Sequence, residues 1–304
     1  MKLLELPYHP FLEKGHTLLS EYKQACAWLD SLGINFKRSR FGKYEKEIQS
    51  FEKIIKSDTA TEDKISAFYS FINSYNEATE LIRIKSALEH IGSSKYLSQL
   101  KKAAAGQTFR NIAYNDSSRD FFFELTLAAR LINAGYSVTV DDIADAIADI
   151  SGTKVFFECK RITSQKMLKD RVKHASAQLQ QRFNNDKSNN IKGIICLNVT
   201  ELLNPHLVMV VGQDIQEIKR SHSEVLTSFV EAHSKELIIN NRENILGVLC
   251  EFNMYGYINN RNPLAIVNCR GMKFLQYDIT QEEQKLVYEF VLKISNQKLR
   301  KDNL

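Results

Sequence analysis

The spacing of apolar positions changes character near residue 106. Before it, the spacing is that of helices. Over residues 10–32, Leu12, Leu18, Leu19, Tyr22, Cys26, Leu29 and Leu32 recur at three- and four-residue intervals, and Gly33 ends the run. Further helices are predicted over about 42–56, 62–90 and 94–104. Thr61 is placed to cap the longest of these, with Glu62 and Asp63 in its first turn, and Gly92-Ser93-Ser94 separates it from the next. No period repeats, which excludes a solenoid.

After Gly106 the pattern alternates between helix and strand. SRDFFFELTLAARLINA, over 118–134, is amphipathic at helical spacing and closed by Gly135. Three short strands follow, at 137–141 (SVTVD), 144–150 (ADAIADI) and 155–161 (VFFECKR), the last two joined by a tight turn at Ser151-Gly152-Thr153-Lys154. A helix is predicted over about 164–183, then a buried strand, IKGIICLNV, at 191–199. Apolar runs at 206–211, 245–252 and 264–269 and helices near 213–236 and 280–297 complete the chain. The order helix–strand–strand–strand–helix–strand describes an α/β sandwich, a meander followed by a crossover. The reading is a helical N-terminal lobe, 1–105, and an α/β domain, 106–304, with the junction in 106–117.

Composition changes this picture little. The chain has 304 residues, is 43% hydrophobic and 25% charged, and carries a net charge of +5, which permits a polyanionic partner without requiring one. No run of apolar residues is long enough to span a bilayer, and Pro7, His9 and Pro10 interrupt the N-terminal stretch, so the expectation is a cytoplasmic protein. Cys26, Cys159, Cys196, Cys250 and Cys269 are far apart and form no CxxC pair, which argues against a disulfide framework or a zinc site and for buried thiols. No P-loop, zinc finger or RNA-recognition motif is present.

The candidate chemistry lies on the second and third strands. Alternation along VFFECKR sets Phe156, Glu158 and Lys160 on one face, and along ADAIADI it sets Asp145, Ile147 and Asp149 on one face. The hairpin brings Asp145 beside Glu158 and Lys160. Two carboxylates together call for a cation, and hard oxygen donors suit Mg²⁺ or Mn²⁺. A strand-end salt bridge is the plainer alternative. Asp142 and Asp149 compete with Asp145 for the ligand role, Asp149 standing nearer the turn.

An Asp, a hairpin and then Glu-x-Lys resembles the signature of the PD-(D/E)XK, or restriction-endonuclease-like, nucleases. It is matched by Ala144-Asp145 and Glu158-Cys159-Lys160, with alanine where the name-giving proline usually stands. Glu124, in FFFELTLAARL, matches a Glu often found on the family's first core helix, and Gln178, in HASAQLQQ, a Gln on the helix after the motif; Gln180 and Gln181 stand beside it. The resemblance covers about 110–200. It implies an αβββαβ core with a C-terminal extension of the sheet, and a Mg²⁺- or Mn²⁺-dependent nuclease. Asp145, Glu158 and the Cys159 carbonyl would hold the metal, Glu124 would act through a metal-bound water, Lys160 would act at the attacking water, and Gln178 would position substrate or Lys160. DNA is the expected substrate, with RNA and a non-catalytic scaffold as alternatives, and a homodimer or a prokaryotic restriction or defence complex as the setting. Arg161, Lys166, Lys169, Arg171 and Lys173, with His174 and Arg182, give the following helix a positive face for a nucleic-acid backbone. A second basic run, Phe36-Lys37-Arg38-Ser39-Arg40-Phe41-Gly42-Lys43, could grip phosphate or stack a base, or be a simple charged loop.

Overall fold

The computed structural model describes residues 1–6, 11–12, 15–54, 61–108, 116–141, 144–188, 190–259 and 266–295. The chain begins with strands β1 (Lys2–Glu5) and β2 (Phe11–Leu12), then runs through α1 (Gly15–Ser31), a 3-10 turn at Phe36–Arg38, α2 (Arg40–Ile54), α3 (Thr61–Leu88), α4 (Ser94–Ala104) and α5 (Ser117–Asn133). The meander is β3 (Ser137–Asp141), β4 (Ala144–Ile150) and β5 (Thr153–Arg161), followed by α6 (Gln165–Asn185) and β6 (Ile191–Asn198). The remainder is α7 (Thr200–Leu203), β7 (Val210–Gly212), α8 (Ile215–Ala232), α9 (Ser234–Leu237), β8 (Ile245–Ile258), β9 (Ile266–Gln276) and α10 (Gln281–Ser295). None of the described helices is long and apolar enough to cross a membrane. The five cysteines are free and buried.

By packing, residues 1–12 and 130–304 form one unit and 13–129 another. The division falls inside α5, later than the 106–117 junction expected from the change in apolar spacing. The sheet unit is α/β: a mixed open sheet ordered β1-β9-β8-β6-β5-β4-β3, with β2 also pairing β9 and β7 pairing β8. β3–β4–β5 are antiparallel, and α6 carries the chain back so that β6 lies parallel to β5. The hairpin between β4 and β5 turns in two residues, not the four expected. Ser151 and Gly152 both have positive φ, 51° and 79°, the pair a tight hairpin needs to follow the sheet twist, and Ile150 pairs directly with Thr153. Asp149 accepts the Gly152 N–H at 2.9 Å and closes the turn.

One apolar layer runs under α6 and α8. Ile147 and Phe156 on the meander meet Leu168, Val172, Leu179 and Phe183 of α6, with Phe156 edge-on to Phe183 at 6.1 Å. Farther along the sheet, Cys250, Phe252, Met254, Val267 and Cys269 face the layer that includes Ile218, Leu226 and Phe229 of α8. The alternate positions of β8 and β9 include buried polar residues, Glu251, Asn253, Asn268 and Arg270. Glu251 accepts two hydrogen bonds from Arg270, at 2.8 and 3.0 Å, with Arg130 Nε 3.8 Å away.

His222 of α8 is fully buried, stacked on Phe252 at 4.9 Å, with Nε2 2.9 Å from the Phe252 carbonyl oxygen. Burial, together with the charge of Lys273, pushes its pKa from 6.5 down to about 4. The neutral ring is therefore part of the fold. Its contribution is complete above pH 6.5 and is lost as pH falls from there toward 4, about 3 kcal/mol in all. Denaturant titrations at pH 7 and pH 4.5 should show the parent losing more stability than His222→Gln, which keeps an amide donor but does not titrate. Equal losses would mean that the ring is not held neutral.

The helical unit is organised around α3, whose residues from Phe71 to Leu81 are all buried. Those positions include Asn73, Ser74, Asn76, Glu77, Thr79 and Glu80. A helix buried all round normally carries apolar side chains, so here polar groups must satisfy one another. Glu77 accepts a hydrogen bond from Arg119 at 2.7 Å and forms a longer ion pair with Arg40 at 3.6 Å. Arg40 also lies over the rings of Phe41 and Phe122, at 5.2 and 4.9 Å.

Candidate active site

The site is set by where the β4–β5 ladder stops. Its last registered pair is Ala146 with Phe157, and continuing the register places Asp145 opposite Glu158, on the face of Ile147 and Phe156. At Cys159 the side-chain carboxylate of Asp145, not another ladder pair, accepts the backbone N–H at 2.6 Å. At the same end the β3–β4 register shifts between Thr139 and Asp141, an irregularity of the kind that re-aims side chains at sheet rims. β4 thus parts from β5 where the acids stand.

Glu158 is 0% exposed. One carboxylate oxygen takes the Lys160 ammonium at 2.6 Å, and the other takes the guanidinium of Arg182, which reaches down from α6. Lys160 and Glu158, two residues apart on one strand, share a face by alternation. Arg182 reaches them because Leu179 and Phe183 beside it anchor that turn of α6 in the core. Burial, and the Glu158 carboxylate nearby, push the Asp145 carboxyl up to about 6, against the lowering effects of the Cys159 N–H, Lys160 and Arg182.

Asp145, Glu158 and Lys160 are brought together. Gln178 stands one helical turn before Arg182, on the same row of α6, and its buried Oε1 has no hydrogen-bond partner among the described residues. Glu124 is half-buried on the part of α5 that belongs to the helical unit. Asp142 lies outside the described residues. Asp149 is exposed and serves the turn. Of the cations expected to face substrate, Lys166, Lys169, Arg171, Lys173 and His174 are exposed. Arg161 is engaged by Glu201 at 2.6 Å. Arg182 is turned inward onto Glu158 rather than outward. Its sequence signal was its place four residues after Gln178 and beside two core positions, which a count of charges along the helix overlooks.

A divalent ion at this point would find two carboxylates and the Cys159 carbonyl, which strand parity turns toward the β4 side together with the N–H that Asp145 holds. Among the described residues no three His, Cys, Asp or Glu side chains gather in one group. Mg²⁺ needs only one or two carboxylates and keeps several waters, so the donors fit in kind. The Gln178 oxygen, buried and without a hydrogen-bond partner among the described residues, is a further acceptor on α6. In charge, Lys160 and Arg182 already balance Asp145 and Glu158. A metal would have to share Glu158 with them or displace one. Comparison with protein-family models, curated proteins and solved structures gave no match.

Proposed function

We propose that the chain is a divalent-metal-dependent nuclease of the restriction-endonuclease-like kind, acting on DNA. The observation that carries this reading is the convergence of Asp145, Glu158 and Lys160 on one sheet face, at the point where β4 leaves β5. The element order α5–β3–β4–β5–α6–β6, with an antiparallel meander and a parallel β5–β6 pair, supports it at the level of the fold. Asp145, Glu158 and the Cys159 carbonyl would hold Mg²⁺ or Mn²⁺. Bound there, the ion supplies Lewis-acid stabilisation of charge on the phosphate. Lys160, held by Glu158, keeps ammonium protons to orient a water and to donate to a phosphate oxygen. Arg182 fixes the second oxygen of Glu158 and so sets the plane of that carboxylate.

The charge balance of the four groups favours one other reading, a non-catalytic scaffold in which they form a closed ionic cluster. Titration calorimetry with Mn²⁺, run beside cleavage assays on plasmid, linear, single-stranded DNA and matched RNA, separates the two. The nuclease reading expects Mn²⁺ binding that Asp145→Asn weakens at least tenfold, and cleavage that EDTA abolishes. An absence of both metal binding and cleavage would leave the scaffold.

A further inference from the structure

The helical unit contains a cleft of about 380 Å³ that the sheet site does not use. It lies between the 3-10 turn, the start of α2 and the end of α4. Arg38, Lys43 and Lys101 line it, with an apolar floor that includes Ile34, Ala104 and Ala105. All three cations are exposed, and among the described residues no carboxylate lines the cleft. Like charges drawn into one concavity repel each other, and an anion seated among them removes that repulsion. Arg40, the first residue of α2, also borders the cleft, so the partial positive charge of that helix end adds to the field.

The local backbone brings these groups together only with glycine at position 42: a Cβ there would stand 2.7 Å from the Lys37 carbonyl oxygen. Gly42 lets the 3-10 turn close onto the first turn of α2, which carries Arg38 toward Lys43. The hydroxyl of Ser39 is already committed, donating to the Phe36 carbonyl at 2.7 Å and accepting from the Phe41 N–H at 3.2 Å. The aromatic members of the basic run do not serve a base: Phe36 and Phe41 are 7% and 1% exposed, packed in the core. Cations without an available ring select phosphate, not a base.

We infer that this cleft is a binding site for a phosphate group, reached through Arg38, Lys43 and Lys101. The inference does not depend on the nuclease reading, because binding is measured without metal. Two sources share the chemistry, a strand backbone and a free phosphate ester, and two probes distinguish them. The full chain, in EDTA, is titrated with a labelled single-stranded oligonucleotide and with inorganic phosphate. The variants are Arg38→Glu/Lys43→Glu/Lys101→Glu, and a charge-matched control, Lys23→Glu/Lys187→Glu/Lys285→Glu, at exposed positions outside the cleft.

The cleft variant should bind the oligonucleotide at least tenfold more weakly than the control does, with a salt slope reduced by roughly two to three. Gly42→Ala should weaken binding in the same direction without changing any charge. Loss of inorganic phosphate binding in the cleft variant as well assigns the site to an isolated phosphate group; loss of oligonucleotide binding alone assigns it to a strand. Equal affinities for the cleft variant and the control, with both probes, would overturn the inference.

Discussion

On the proposed nuclease reading, Lys160→Ala is expected to slow metal-supported phosphodiester cleavage by on the order of 10²–10⁴-fold while leaving the fold nearly as stable as before. The separation of the two effects follows from the geometry at Glu158. That carboxylate is fully buried, and it is held from two sides, by Lys160 and by Arg182. Removing the lysine leaves Arg182 in place, so the buried acid keeps a counter-charge. Removing the acid is different: Glu158→Ala strands two largely buried cations, a change that typically costs about 3–5 kcal/mol. Activity lost in Glu158→Ala therefore mixes chemistry with folding, and Lys160→Ala does not. Single-turnover cleavage rates and melting curves on the same preparations provide the check. A Lys160→Ala rate within about threefold of the parent would remove the lysine from the reacting atoms.

Glu77→Ala should strongly damage the helical unit, lowering its stability by about 3–5 kcal/mol and its melting temperature by on the order of 10 °C. Glu77 is 0% exposed and faces Arg119 and Arg40, themselves buried. Burial lowers the pKa of Arg40, opposed first by Glu77, so the acid is what keeps this guanidinium charged at little cost. Glu77→Gln preserves volume and one acceptor for Arg119 but not the charge, and should fall between parent and alanine. Thermal melts of the three proteins followed by circular dichroism are sufficient. A Glu77→Ala melting point unchanged from the parent would mean that the two arginines are held by other groups.

What could be read from the chain without coordinates was what repeats locally. The 3.6-residue spacing of α5 and α6 and the two-residue alternation of β5 gave those elements to within a few residues, and alternation alone put Glu158 and Lys160 on one face. The neighbourhood of Asp145 is also legible, because the hairpin brings it alongside Glu158 and Lys160. The four-residue turn that the sequence suggests is two residues too long and would set Asp145 opposite Lys160, but a shift of two preserves the parity of the faces, and so the candidate trio. Features that depend on distant segments were not legible. β1 is four residues long and exists as a strand because Leu3 and Leu4 pair with Leu275 and Phe274. β8 continues to Ile258 and β9 to Gln276, well beyond their apolar runs, since Asn253, Asn268 and Arg270 are buried polar positions inside them. The inward turn of Arg182 and the Arg40–Glu77–Arg119 cluster belong to the same class. Charge in a sequence suggests solvent until the packing supplies a counter-charge.

The pairing of β1 with β9 has a practical side. Residues 2–5 cover backbone donors and acceptors of Lys273–Gln276 that would otherwise lie open on an eleven-residue strand. Uncovered strand margins recruit other chains, producing swapped or aggregated species. Trimming the leading segment would thus open a sticky seam along β9, and affinity handles are better appended behind α10.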